Sequence, residues 1–432
     1  MKKAASFALG CKVNQYESEA IAELFAEKGY EIVGIDEEAD VYVINTCTVT
    51  NFGDKKSRQL IRKVKRQNEN AIVAVVGCYA QTAPKELMEI AGVNLVIGTK
   101  DRAQIVEMVE QYDRANGVEN HVSDIMKERV FEPLSIQKLA NRTRAYLKIQ
   151  DGCSQYCSYC IIPYARGPIR SREPQEVVAE VKRLAENGFK EVVLTGIHVA
   201  SYGKDRRDTS LLDILKQVHE VEGIERIRFS SIEPNVVTEE FAQTMAALPK
   251  VCDHFHLSLQ SGCDKTLKEM NRKYDTEKYR QAAAMLRKYL PKVALTTDII
   301  VGFPGETEED FRESYAFAEE IGFAKIHVFP YSPKRGTPAA ARKDQLLNAV
   351  KAERSHTLIQ LSDKMAADFL ADAVGTDAEV LYERAVGDGI YEGHTTNYMK
   401  VHGRSEVDLT NRICKTHITR AEGEMLFGDA EV

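Results

Sequence analysis

Nine cysteines in a chain of 432 residues have a spacing that suggests what they do. Three of them, Cys153, Cys157 and Cys160, stand as CxxxCxxC in DGCSQYCSYC, on a loop after a predicted strand. A structural zinc site usually offers four Cys or His ligands, often as two separated pairs. Three thiolates close together can instead hold three irons of a [4Fe–4S] cluster, which leaves the fourth iron open for a ligand that receives an electron. A second trio is scattered along the chain: Cys11 in ALGCK, Cys47 in VYVINTC and Cys78 in IVAVVGC, each within two residues after a predicted strand. Open α/β sheets bind ligands at the carboxyl ends of their strands, where loops converge. The scattered three therefore form one candidate site. For each trio a plainer reading stands beside this one: structural zinc for the first, and separately buried small side chains for the second. Cys252, Cys263 and Cys414 read as packed thiols.

These loops need elements to hold them. In residues 3–111 β-rich runs at 4–9, 30–33, 41–45, 72–76 and 95–97 alternate with helical patterns, one of them at 16–28 with Asn14 and Glu17 as a capping pair before it. Such alternation predicts a parallel sheet covered by helices. After a polar connector at 116–141, strands at 145–149, 191–194, 226–230, 254–259, 293–301 and 325–329 alternate with helices such as 174–187, 211–221, 238–248 and 306–321. Six βα repeats predict a partial barrel whose carboxyl-end loops carry the chemistry. Residues 344–370 read as a charged helix, and short glycine-separated strands at 377–381, 389–394, 398–402 and 412–419 predict a small β-barrel. The expected fold is thus α/β throughout the first two units, 1–115 and 139–369, with a β-barrel over 370–432.

Composition narrows the class of protein. The chain is long enough for two or three cores. Its 44% hydrophobic and 28% charged residues describe a globular protein. No run of about 18 apolar residues suggests a membrane span, and the apolar run at 4–9 is shorter than a signal-peptide core. A cytoplasmic protein with no membrane partner is expected, and in that reducing setting cysteines serve as ligands more readily than as disulfides. A net charge of −7 argues against indiscriminate nucleic-acid binding, so any RNA contact must come from local patches. One candidate is a predicted helix after the Cys47 loop, carrying Lys55, Lys56, Arg58, Arg62, Lys63, Lys65 and Arg66. Arg166, Arg170 and Arg172 form a second candidate strip.

The CxxxCxxC loop after the first strand of a six-repeat series resembles the radical S-adenosylmethionine superfamily. That resemblance implies that S-adenosylmethionine chelates the open iron and is cleaved on reduction to a 5′-deoxyadenosyl radical. It also implies cofactor contacts at later strand ends: Gly196 in Thr195–Gly196–Ile197, Glu233 in SSIEP, Gln260 in LSLQSG, Arg272 in MNRKY for a carboxylate, and Gly302 in VGFPGE. His198, at a strand end near the cofactor, reads equally as a loop residue or a functional one, and His254 and His256 alternate along one strand as a pair that includes a core histidine.

Together ALGCKVNQYESE, NTCTVTN, VVGCYAQ, DGCSQYCSYCIIPYARG, LSLQSG and TDIIVGFPGET resemble the methylthiotransferases over essentially the whole chain. Members of that family join a cysteine-bearing α/β domain, a radical barrel and a C-terminal TRAM domain. The resemblance implies that Cys11, Cys47 and Cys78 hold an auxiliary [4Fe–4S] cluster, and that Cys153, Cys157 and Cys160 hold the radical one. It implies two S-adenosylmethionine per product, one a methyl donor and one a radical source. Carbon 2 of adenine carries an unactivated C–H, which calls for such a radical. GCKVNQYE and NTCTVTN look like the branch that modifies N6-threonylcarbamoyladenosine 3′ to the tRNA anticodon. Isopentenyladenosine in tRNA and a ribosomal-protein aspartate are the substrates of the other branches. The implied partners are tRNA, an electron donor of flavodoxin or ferredoxin type, and a sulfur donor that the motifs do not specify. A non-catalytic RNA-binding metalloprotein is the reading from a different class.

Overall fold

The computed structural model describes residues 1–136 and 143–431. Part of the expected connector, and position 139, where the second unit is expected to begin, lie outside the described residues.

The first unit is built on a parallel sheet in the order Glu31–Ile32, Lys3–Ala8, Val41–Thr46, Ile72–Gly77, Leu95–Val96, Glu119–Asn120. Val41–Thr46 is buried at every position, as a central parallel strand covered on both faces must be. The edge strand Glu119–Asn120 falls in the polar connector, and two polar residues carry no period from which to read a strand. The first helix runs Lys12–Glu27, four residues earlier than the sequence suggested, with Cys11 at its N-cap. Asn14 and Glu17 therefore do not cap it. Both lie inside the helix, fully buried, and hold other parts of the molecule.

The second unit has six parallel strands among the described residues: Arg144–Asp151, Glu191–Gly196, Arg226–Phe229, His254–His256, Ala294–Val301 and Lys325–Pro330. They form two ladders joined by single bridges, Ile227 to Val251 and Ile232 to Leu257, which makes an open, partial barrel. On Ala294–Val301, Leu295 and Ile299 face the outer helices and join the main core, while Thr296 and Asp298 line an interior cavity. His254 and His256 do the same on the neighbouring strand, where Phe255 faces outward into the core. The bore of this barrel holds an open cavity with polar side chains on two of its strands, whereas a fully closed one is normally filled by branched apolar side chains.

The C-terminal unit is a closed barrel of Asp377–Gly387, Ile390–Thr395, Lys400–Arg404, Met425–Ala430 and Ile413–Glu422, in that spatial order. It sits across the amino ends of the barrel strands. Arg226 donates to the carbonyls of His394 and Glu379, and Arg228 to those of Thr395 and Thr396. Tyr398 closes the floor of the bore, with the guanidinium carbons of Arg144 and Arg228 at 5.2 and 4.8 Å from its ring centre and His254 stacked on it at 5.0 Å. No described helix is long and apolar enough to cross a membrane.

Candidate active site

Each cysteine of the scattered trio follows a strand of the first sheet, and the strands bring them together. Gly10 lets this happen, because its φ of +101° suits glycine and a Cβ there would lie 2.6 Å from the Cys47 sulfur. Cys47 and Cys78 are buried, and Cys11 is exposed at the rim. Burial, with the neighbouring Cys78 and Cys11 sulfurs adding to it, pushes the Cys47 thiol up to about 12. The Cys78 thiol is raised as well, chiefly by burial. Arg166 counters this by donating from Nε to Cys78 Sγ at 3.1 Å.

Cys153, Cys157 and Cys160 sit on the loop after the first barrel strand. Gly152, at φ +73°, passes so close to Pro168 that a Cβ would lie 1.8 Å from its carbonyl oxygen, so the loop leaves the strand by a turn only glycine permits. Burial is the main cause that raises the Cys153 thiol to about 11 and the Cys160 thiol to about 12. Arg272 Nη1 donates to Cys157 Sγ at 3.2 Å. Each trio thus has one buried guanidinium on one of its sulfurs.

These donor sets fit iron–sulfur clusters. Thiols held protonated by burial become ligands only when a strongly positive centre displaces their protons, and binding then releases those protons. A guanidinium donating to a ligating sulfur is a recognised means of tuning such a centre.

Between the trios lies a buried ionic network. Glu17, wholly buried, meets Arg102 at 2.6 Å, Lys148 at 2.7 Å and Arg166 at 3.0 Å. Asp151, two residues before Cys153, meets Lys148 at 2.5 Å, Arg166 at 3.5 Å and Arg170 at 3.6 Å. The cations hold both carboxyls below the ordinary carboxylate range against the opposing effect of burial. Arg166 also donates to Asn14 at 2.7 Å. One side chain therefore links the first helix, the Cys78 sulfur and the strand that leads to Cys153.

This corrects the expectation that Arg166, Arg170 and Arg172 form an RNA-binding strip. All three are buried, and Arg172 pairs with Glu180 at 2.6 Å. They bind the protein to itself.

The other expected site residues gather at the carboxyl ends of the barrel strands. Glu233 forms an ion pair with Arg272 at 2.9 Å and faces His198 Nε2 at 3.1 Å. Arg272 is thereby committed to Glu233 and Cys157, with Tyr274 under its guanidinium at 4.8 Å, instead of standing free for a carboxylate. Gln260, at φ +73°, is locked by backbone bonds to Asp298 and Ile300. Gly196 crosses close to Gln150, where a Cβ would lie 2.8 Å from Oε1. Gly302 donates to Glu306 Oε1 at 2.9 Å, and Glu306 is in turn held by Arg354. Cys252, Cys263 and Cys414 are buried, away from both trios.

A cavity of about 980 Å³ joins the two loops. Cys11, Val49 beyond Cys47, Ile162 beyond Cys160, and Gly196 all line it, and it continues down the bore to Tyr398. Beside it runs the helix Asn51–Gln67 with the expected basic residues. Lys55, Lys56, Arg62 and Arg66 are exposed, whereas Arg58 is tied to Glu86 and Tyr79, Lys63 to Asp36, and Lys65 to the Ala71 carbonyl. A groove of about 600 Å³ bounded by Lys56, Arg62, Lys63 and Arg66 reaches Phe7 and Leu9 on the strand that leads to Cys11.

A partial barrel with a CxxxCxxC loop at the carboxyl end of its first strand defines the radical S-adenosylmethionine class of enzyme, which uses that cofactor and a [4Fe–4S] cluster. Residues 147–318 match the family "Radical SAM superfamily", and residues 3–98 match "Uncharacterized protein family UPF0004". The chain is 47% identical to the threonylcarbamoyladenosine tRNA methylthiotransferase MtaB of Bacillus subtilis, over 98% of this chain and 94% of that protein. It is 36% identical to the tRNA-2-methylthio-N(6)-dimethylallyladenosine synthase of Moorella thermoacetica, over 97% of this chain and 96% of that protein. In fold it resembles the radical S-adenosylmethionine methyltransferase TsrM of Kitasatospora setae, with a TM-score of 0.58 and 16% identity over 79% of this chain and 74% of that one. The chain belongs to the radical S-adenosylmethionine methylthiotransferase family.

Proposed function

We propose that this enzyme methylthiolates carbon 2 of N6-threonylcarbamoyladenosine, 3′ to the anticodon of tRNA. The observation that carries the reading is one cavity that reaches from Cys11 and Val49 on the first unit to Ile162 just beyond Cys160, since sulfur insertion needs a carbon radical source and a sulfur-bearing centre to meet at one adenine. Cys153, Cys157 and Cys160 hold one [4Fe–4S] cluster, and Cys11, Cys47 and Cys78 hold the other. When bound, the clusters and two S-adenosylmethionine supply the radical that takes hydrogen from carbon 2 and the methylated sulfur that replaces it.

The chain's own residues hold this chemistry in place. Arg166 and Arg272 each donate to one cluster-bearing loop and fix its position. Gly196, Glu233, Gln260 and Gly302, at the carboxyl ends of the barrel strands, would hold the S-adenosylmethionine. Arg272 acts by orienting Glu233. The exposed cations of Asn51–Gln67, chiefly Lys55, Lys56, Arg62 and Arg66, meet tRNA phosphates beside the Cys11 rim. Arg58 and Lys65 border that surface. The reaction takes place in the cytoplasm with an electron donor of flavodoxin or ferredoxin type.

Identity of 47% to a threonylcarbamoyladenosine enzyme, against 36% to a dimethylallyladenosine one, favours the first nucleoside. Mass analysis of tRNA nucleosides from a strain lacking the gene tests the choice. Loss of the methylthio group from threonylcarbamoyladenosine alone is expected. Its persistence there, or its loss from isopentenyladenosine, would overturn the assignment.

A further inference from the structure

Lys12, an exposed residue beside Cys11, faces no carboxylate among the described residues. Lys12 directly follows Cys11, and its side chain enters the cavity between the cysteine loops. Its ammonium lies 5.6 Å from the centre of the Tyr146 ring and forms no ion pair or hydrogen bond among the described residues. The acids nearby are already engaged. Asp298 faces His256 Nε2 at 3.3 Å, Glu424 pairs with Lys325 at 2.6 Å, and Glu191 is shared by Arg144 and Arg228.

The neighbours of Lys12 add donors and no further negative charge. His254 Nε2 and His256 Nδ1 lie 3.1 and 3.2 Å from the one hydroxyl of Thr296, and His327 stacks on His256 at 5.9 Å. Lys12 is close enough for its charge to act on both His254 and His327. The cavity therefore has largely apolar walls on which Lys12 and the histidines set a few polar donors, and it opens at Cys11. Its volume of about 980 Å³ suits a nucleoside. A lone small anion such as hydrosulfide would fill only about the 30 Å³ of a water molecule.

We propose that Lys12, with His254 and His256 beside it, binds the carboxylate on the N6 substituent of the target adenosine and so selects a threonylcarbamoyl over an isopentenyl group. The inference rests on the nucleoside assigned above. A carboxylate against an ammonium inside a cavity makes a charge-assisted hydrogen bond. An isopentenyl group there leaves the ammonium partly desolvated with nothing in return, and a site built for a polar group rejects analogues that lack it.

The test uses anaerobically prepared holoenzyme and anticodon stem-loop RNAs that bear the threonylcarbamoyl acid, its methyl ester, or isopentenyl at the target adenosine. Anisotropy titrations should show the wild type binding the acid about tenfold to a hundredfold more tightly than the ester. Lys12→Met should lose that preference, and Lys12→Arg should keep it. Iron content and thermal midpoint equal to wild type establish that Lys12→Met is folded. An undiminished acid-over-ester preference in Lys12→Met, or none in the wild type, overturns the proposal. So does displacement of the acid RNA by sodium hydrosulfide without any acid-over-ester preference, which would give the lysine to a sulfur anion. Failure of the nucleoside assignment itself looks different, because the wild type would then leave the threonylcarbamoyl RNA unmethylthiolated.

Discussion

Replacing Arg166 by methionine removes a side chain that touches Glu17, Asp151, Asn14 and the Cys78 sulfur at once. Breaking one partner out of a buried ionic cluster costs about 3–5 kcal/mol, because the remaining charges stay desolvated. Here the lower end applies, since Glu17 keeps Arg102 and Lys148, and Asp151 keeps Lys148 and Arg170. A loss of about 3 kcal/mol lowers the melting midpoint of a cooperative unit of about 200 residues by about 6–12 °C. Calorimetry of the anaerobic protein measures that shift, and iron analysis of the same samples should show poorer filling of the Cys11, Cys47 and Cys78 site. Arg166→Lys should fall between, because an ammonium keeps the charge but not the fork that reaches several partners. A midpoint within about 1 °C of wild type would refute the view that this residue staples the two cysteine loops. A drop of about one in the salt dependence of tRNA binding would refute it from the other side, by showing a phosphate contact.

Acidity and the RNA surface give further expectations. Burial, as the main cause, holds His254 well below and His327 below the ordinary value of 6.5. An unfolded chain takes up protons below pH 6.5 that these folded histidines refuse, so their contribution is complete above 6.5 and is lost below it. The slope is up to about 1.4 kcal/mol per pH unit per histidine. Melting midpoints followed from about pH 8 to 5 should show this fall, with a shallower slope in His254→Gln. On the basic helix, alanine at Lys56, Arg62 and Arg66 together should weaken tRNA binding and reduce the salt slope by about two to three. An unchanged slope in a filter-binding titration would place the phosphates elsewhere.

The parts of this molecule that repeat were the parts most legible in its sequence. Period-two and helical patterns place both parallel sheets, and the placement of each cysteine after a strand follows from them. What stayed hidden depended on contacts between units. Asn14 and Glu17 imitate a capping box, yet Glu17 answers to Arg102, Lys148 and Arg166, which come from 85 or more residues away. Arg166, Arg170 and Arg172 look like an exposed basic strip because their acidic partners, Glu17, Asp151 and Glu180, are not adjacent in sequence. The same separation hid the opposite case. Lys12 draws no notice in ALGCKVNQYE, and only the folded cavity shows that among the described residues no carboxylate faces it.

Iron and sulfide counting on anaerobically isolated protein tests the central claim most directly, when done on the wild type and on two triple cysteine-to-alanine variants, one for each trio. About eight irons and eight sulfides per wild-type chain are expected, with about half of each in either variant. About four irons in the wild type, or full iron in either variant, would contradict the assignment of one cluster to each set of three thiols.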